Sequence, residues 1–197
     1  MYSPAEHPKY RNAVEPINKT MLNVLLCRTD LSIMEPLKNY DICIYVDGNA
    51  IIDDPKLIEN ILRKVDERHL LVASQHPYMN SIYSELDDSE RQSKYQNNNF
   101  EEQRQRFIQE KYEDENLYWN GFVWYLQPFS DRMLNFYENY TQECLKTIIQ
   151  PSEKIHYQDQ IVFSYVVWKC QLTDNILKLP IYYNEDIPIK AHVKTER

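Results

Sequence analysis

The sequence predicts an α/β fold, in which a mostly parallel sheet has helices on both faces. One observation is the order of apolar patterns, because short apolar runs typical of buried strands alternate with segments whose apolar residues recur at helical spacing. Another is the abrupt end of the apolar run 42–46 at Asp47-Gly48-Asn49, since ligands bind at strand ends in open α/β sheets. The length of 197 residues is that of one domain, so we expect a single domain over residues 1–197.

The first half of the chain predicts two strands and two main helical segments. Residues 42–46 are β-branched, aromatic and other apolar side chains, which is typical of a buried strand. The Asp54-Pro55 pair favours a helix start, and apolar residues recur at helical spacing over 57–65. In order, we expect an extended entry, a helix, further helical turns, a strand, a helix and a strand at residues 1–18, 20–28, 31–37, 42–46, 57–65 and 70–74.

The second half begins with a polar stretch at residues 80–116, which predicts a helical insertion or a mobile flap, with a solvated helix pair as the alternative. The apolar run 122–126 then predicts a strand, and Ser130-Asp131 precedes a long amphipathic helix. The remaining predicted elements are a loop, a helix and a last strand, at residues 151–157, from Asp159 onward, and at 176–182.

The composition excludes several classes of partner. The net charge of −8 leaves no basic surface for nucleic acid or for an anionic membrane, so an anionic ligand would need a local cation. No run of 18 apolar residues and no N-terminal apolar segment is present, so we expect a soluble, cytoplasmic protein without a membrane span. The 4 cysteines lack CxxC spacing, which indicates free buried thiols.

Glycine is unusually scarce in this chain. An average usage of about 7% would give about 14 glycines, and the sequence has 2, Gly48 and Gly121. Both fall at the ends of predicted strands, where a positive φ or a close approach of backbone to ligand would require glycine. Ordinary turn chemistry is the alternative explanation.

The side chains after the strand 42–46 suggest a metal site. Asp47 and Asn49 present oxygen atoms at the strand end, and oxygen ligands are those that Mg²⁺ and Mn²⁺ prefer. A cation held there would in turn bind a diphosphate. Asn49 is a neutral and therefore weaker ligand than a carboxylate, which leaves open that it binds a sugar or a water molecule instead.

Four sites along most of the chain resemble, in order and spacing, the signature sites of GT-A-fold glycosyltransferases. They are Asp47-Gly48-Asn49, Asn120-Gly121-Phe122, Tyr157-Gln158-Asp159-Gln160 and His192. The local sequence is most similar to the glycosyltransferase family marked by a Trp-Ile-Asp-Gly-Asn motif, with Tyr45 and Val46 in place of the tryptophan and isoleucine. The resemblance implies a GT-A-like, Rossmann-like domain, and the composition suggests the AT-rich genome of a large DNA virus.

The resemblance also implies roles for individual residues. It places Asp47, Asn49 and His192 around Mn²⁺ or Mg²⁺, and it makes Asp159 the catalytic base of an inverting transfer, or the residue that orients the sugar in a retaining one. It implies a nucleotide-sugar donor and a glycan, lipid or protein acceptor. The expected substrate-binding residues are Gly48, Asn120, Gly121, His76, Glu85, Gln160, Lys190 and Lys194.

Each of these residues has a structural alternative. Asp47 is typical of a turn, Asp159 of a helix N-cap, and His192 of a polar surface. A phosphatase with an aspartyl nucleophile would need a carboxylate two positions before Asp47, where the sequence has Tyr45.

The region before Asp47 departs from the family pattern. GT-A enzymes recognise the nucleotide on strands that precede the metal-binding strand, and no strand pair is predicted there. We therefore expect an N-terminally shortened fold, whose nucleotide site would need a missing N-terminal segment or a partner. The alternative is a noncatalytic GT-A-like binding or scaffold domain that has lost donor recognition.

Overall fold

The computed structural model describes residues 7–13, 19–47, 50–52, 56–76, 78–95, 98–113, 116–147, 158–179 and 189–191. Within these ranges the α-helices are α1 (Lys19–Thr29), α2 (Leu57–Leu62), α3 (Ile82–Glu90), α4 (Phe100–Gln109), α5 (Asp131–Lys146) and α6 (Asp159–Lys169). The strands are β1 (Ile42–Val46), β2 (Ala50–Ile52), β3 (Leu71–Gln75), β4 (Tyr118–Leu126), β5 (Ile176–Leu179) and β6 (Ile189–Ala191). Short 3-10 segments add single turns at Pro8–Ala13, Leu31–Ile33, Glu35–Leu37, Ser93–Tyr95 and Thr173–Asn175.

The main sheet has four strands in the order β1-β4-β3-β5. Strands β1, β3 and β5 run in one direction and β4 runs against them, so that only the β3-β5 pair is parallel. The α/β class is confirmed, and the expected mostly parallel sheet is instead a mixed one. The reason is that the connection from β3 to β4, which contains α3 and α4, starts and finishes at the same end of these strands, where Gln75 pairs with Tyr118. A connection that returns to the strand end from which it started places the next strand antiparallel.

The two faces of the sheet are covered unequally. Strand residues alternate between the faces, so Val123 and Tyr125 contact one core cluster and Phe122 and Trp124 contact the other. The larger cluster receives side chains from α1, α3, α4, α5 and α6, and the smaller one from α2. Helices therefore lie on both faces, as predicted.

The polar stretch after β3 forms the packed helices α3 and α4. Both helices bury apolar side chains, among them Ile82, Leu86 and Phe107, and α3 packs against α4 and α6. The segment is thus a helix pair with a buried face, and the described parts of it do not form a flap.

A second, two-stranded sheet joins distant parts of the chain. Strand β2 follows Asp47 by three residues and pairs antiparallel with β6, which places Ala50 opposite Ala191 and Ile51 opposite Lys190. The backbone of residues 189–191 therefore lies alongside the segment that follows β1.

The residues described before β1 are helical. In 7–13 and 19–41 the structure has α1 and three 3-10 segments, and no strand.

Among the helices of the described ranges, none has the length and apolar character that a membrane crossing requires. The 4 cysteines are free, as predicted, but only Cys43 and Cys144 are buried, whereas Cys170 is half-buried and Cys27 is exposed.

The centre of the larger core cluster is Phe163 on α6. Its side chain is fully buried and contacts the rings of Tyr118, Phe136 and Tyr140 edge-on. We expect Phe163→Ala to lower the free energy of unfolding by about 3 to 5 kcal/mol, because it leaves a cavity in a closely packed site. Urea denaturation measures this loss. The control Leu134→Ala removes a partly exposed side chain on α5, and an equal loss in both variants would contradict the placement of this core.

Candidate functional site

Asp47 lies directly after β1 and is held there by its backbone. Its N–H donates to the carbonyl oxygen of Gly121 at 2.8 Å, which extends the ladder between β1 and β4 by one residue. Its Oδ1 accepts a hydrogen bond of 2.6 Å from the hydroxyl of Tyr45. The second carboxylate oxygen has no partner among the described residues, and 29% of the side chain is exposed. Asp47 thus has one oxygen available to a ligand.

Arg28, at the end of α1, links Asp47 to Asp159. Its Nη1 lies 2.8 Å from Oδ2 of Asp159, and its Nη2 lies 3.5 Å from Oδ1 of Asp47. The guanidinium also lies over the ring of Tyr45, with 5.1 Å from Cζ to the ring centroid. One cation therefore contacts both Asp47, the predicted metal ligand, and Asp159, the predicted base.

Asn120 completes this cluster from β4. Its Oδ1 accepts from Nη2 of Arg28 at 3.4 Å, and its Nδ2 donates to the hydroxyl of Tyr140 at 3.2 Å. Tyr140 in turn donates to the backbone carbonyl of Asp159 at 3.3 Å. The amide of Asn120 therefore connects the guanidinium to the first turn of α6.

Asp159 is the first residue of α6, and its side chain is only 7% exposed. Burial raises the pKa of the Asp159 carboxyl, because an ionised carboxylate is poorly solvated there, while Arg28 and a hydrogen bond from Asn120 oppose the shift. Burial also raises the pKa of the Tyr140 hydroxyl, which therefore stays neutral. With two carboxylates and one guanidinium, the contacting charged groups sum to −1.

Gly121 meets a steric requirement of its own strand. Its φ is not positive, and a Cβ at this position would lie 2.4 Å from the indole ring of Trp119. The glycine is needed because the Trp119 ring lies across its Cα. The group that comes close to Gly121 is therefore a neighbouring side chain, so no ligand is needed to explain the glycine.

His76 and Glu85 make structural contacts. The Nδ1 of His76 accepts from the backbone N–H of Met79 at 3.0 Å, and burial lowers the pKa of the imidazole, which favours its neutral form. Glu85 on α3 is buried and accepts from Nε2 of Gln158 at 2.6 Å. Glu85 therefore holds the residue before Asp159, which gives it a part in positioning α6.

The other predicted site residues lie in the following places. The carbonyl of Gln160, next to Asp159, accepts a hydrogen bond of 3.2 Å from Ser164 within α6, and Lys190 lies in β6 opposite Ile51. The remaining four residues, Gly48, Asn49, His192 and Lys194, lie outside the described residues.

Arg28 was missed by the sequence reasoning, although a signal for it exists. It follows Leu25 by three residues, so the helical repeat places it near the buried face of α1. A charged residue on such a face needs a partner of opposite charge, and that partner comes from far along the chain.

The described side chains around Asp47 bear on the predicted cation site. No group of three or more His, Cys, Asp or Glu side chains with metal-binding geometry occurs in the described ranges. Asp47 nevertheless has an open oxygen, and the net negative charge of its cluster is of the sign that attracts a divalent cation. Of the three predicted ligands, Asp47 lies among the described residues, and Asn49 and His192 lie outside them.

Comparison with protein-family models, curated proteins and solved structures finds no match for this chain.

The environment of Asp159 makes a titration experiment informative. Because burial raises the pKa of Asp159, we expect its carboxyl signal in ¹³C NMR to titrate above about 3.9, the ordinary value for Asp. A raised pKa means that the folded state loses stability as the pH rises through it, since ionisation costs more in the folded than in the unfolded chain. Arg28→Gln should raise this pKa further, and Asp159→Asn identifies the signal by removing it. Titration at or below the ordinary value would contradict the description of this site.

Proposed function

We propose that this protein is a metal-dependent glycosyltransferase of the GT-A class, which transfers a sugar from a nucleotide-sugar donor to an acceptor hydroxyl. The observation that supports this most strongly is the link from Asp47 through Arg28 to Asp159, beside Asn120 and Gly121. The resemblance to GT-A enzymes assigns these positions to one site from their order in the sequence. In the fold, residues from β1, β4 and α6 meet there.

The charge of the site favours a divalent cation. The contacting groups sum to −1, so a diphosphate would be repelled unless a cation bound with it. Asp47 would hold Mn²⁺ or Mg²⁺, with Asn49 and His192 as the further proposed ligands. When bound, such an ion neutralises the charge that develops on the departing diphosphate.

Asp159 is the proposed proton acceptor. A base must hold the proton it takes from the acceptor hydroxyl, and a raised pKa improves this ability. Tyr140 positions the start of α6 by donating to the backbone carbonyl of Asp159. Asn120 accepts from the Arg28 guanidinium that contacts the Asp159 carboxylate. If the transfer retains configuration, Asp159 orients the sugar instead.

A second candidate function is a noncatalytic GT-A-like binding or scaffold domain. The observation that favours it is the absence of any strand in the described residues before β1, 7–13 and 19–41. Since GT-A enzymes recognise the nucleotide on strands in that region, donor binding would be weak without a further segment or partner. The two candidates differ in whether a nucleoside diphosphate binds with the metal and whether a donor turns over.

Isothermal titration of uridine and guanosine diphosphates, with and without Mn²⁺, tests the proposal. We expect binding that depends on Mn²⁺ and that Asp47→Ala weakens at least about tenfold, because it removes the one charged ligand. The matched control Asp41→Ala removes an exposed carboxylate at the other end of β1 and should leave binding unchanged.

Turnover distinguishes the two candidates. Release of nucleoside diphosphate from a panel of nucleotide sugars should occur in the unmodified protein and should fall about 100-fold or more in Asp159→Asn, which removes the proposed base. Binding without turnover of any donor favours the noncatalytic domain. Binding of the nucleoside diphosphates that does not depend on Mn²⁺, or no binding at all, contradicts the proposal of a metal-dependent transferase.

A further inference from the structure

Arg28 has two unequal ionic contacts. Its contact with Asp159 is short, at 2.8 Å, and that carboxylate is 7% exposed. Its contact with Asp47 is longer, at 3.5 Å, and that carboxylate is 29% exposed. Water competes more strongly for the second contact, so the guanidinium can give up Asp47 while it keeps Asp159.

The guanidinium also has unused hydrogen-bonding capacity. Its Nε is buried and has no hydrogen-bond partner among the described residues. Nη2 contacts Asp47 and Asn120 only at 3.5 and 3.4 Å. A guanidinium binds phosphate oxygens through two parallel N–H groups, and the Nε and Nη2 groups of Arg28 form such a pair.

We propose that Arg28 is a diphosphate-binding residue of this site, which exchanges Asp47 for phosphate when a divalent cation binds that carboxylate. The inference rests on the proposed function and extends it to a residue that the resemblance does not assign. In the free protein Arg28 contacts Asp47 as well as Asp159, and a divalent cation would compete with it for the carboxylate of Asp47. If Asp47 held a cation, the Nε and Nη2 edge of the guanidinium would be free to donate to the diphosphate, while Nη1 would keep its contact with Asp159.

This role has a signature that a structural ion pair lacks. Removal of the positive charge at residue 28 makes the site more negative, which strengthens binding of a divalent cation alone. The same change removes the phosphate donor and weakens binding of a diphosphate. A structural ion pair would instead loosen the contact between α1 and α6 and weaken both.

Isothermal titration of Mn²⁺ alone, and then of uridine diphosphate in saturating Mn²⁺, measures both effects. In Arg28→Met we expect Mn²⁺ to bind about five- to tenfold more tightly and the diphosphate at least about tenfold more weakly. Arg28→Gln keeps a hydrogen-bond donor toward Asp159, so this variant is expected to stay folded. It should show the same tighter binding of Mn²⁺ and weaker binding of the diphosphate. The control Arg63→Met removes a surface charge on a side chain that is 74% exposed and should change neither affinity.

The outcomes distinguish a wrong role for Arg28 from a wrong proposed function. If the unmodified protein binds the diphosphate with Mn²⁺ but the Arg28 variants weaken both ligands or neither, the role of Arg28 is wrong and the proposed function stands. If the unmodified protein binds no diphosphate with Mn²⁺, the proposed function is wrong and the role of Arg28 falls with it.

Discussion

The half-buried guanidinium of Arg28 is the group on which the site depends. The buried carboxylate of Asp159 and the partly exposed carboxylate of Asp47 need a counter-charge between them, because repulsion and desolvation would otherwise favour protonation of one of them. Arg28 provides this charge from α1, between Asp47 after β1 and Asp159 at the start of α6. Three elements that are far apart in the sequence are thereby joined by one side chain.

The surrounding structure holds that guanidinium in place from several sides. The Tyr125 hydroxyl donates to the backbone carbonyl of Arg28 at 3.3 Å, and the hydroxyl of Thr141 on α5 donates to that of Thr29 at 2.8 Å. Gln158 bonds to Glu85 and Ser89 on α3 just before Asp159. The ends of α1 and α6 that carry the charged cluster are therefore held by hydrogen bonds from the sheet and from two helices.

Much of the fold could be predicted from local sequence patterns, and the charged cluster could be predicted only in part. The run 42–46 is a strand, as its β-branched and aromatic side chains predict, but it lies at the edge of the sheet with Ile44 and Val46 exposed and is therefore not the buried strand expected. Asp159 begins a helix as its surroundings predict. The direction of β4 is not readable, because Phe122 and Val123 are buried on opposite faces and a strand with two buried faces has the same apolar pattern in either orientation. Arg28 was missed because its partners follow it in the sequence by long intervals, which no periodicity reports.

A double-mutant cycle between Arg28 and Asp159 tests the central claim most directly. The free energy of unfolding in urea is measured for the unmodified protein, Arg28→Gln, Asp159→Asn and the double variant. If the guanidinium is the counter-charge of the site, the two substitutions are coupled by about 1 to 3 kcal/mol, since each removes the same interaction. Effects that add to within about 0.5 kcal/mol would mean that the two side chains do not interact, and would contradict the account.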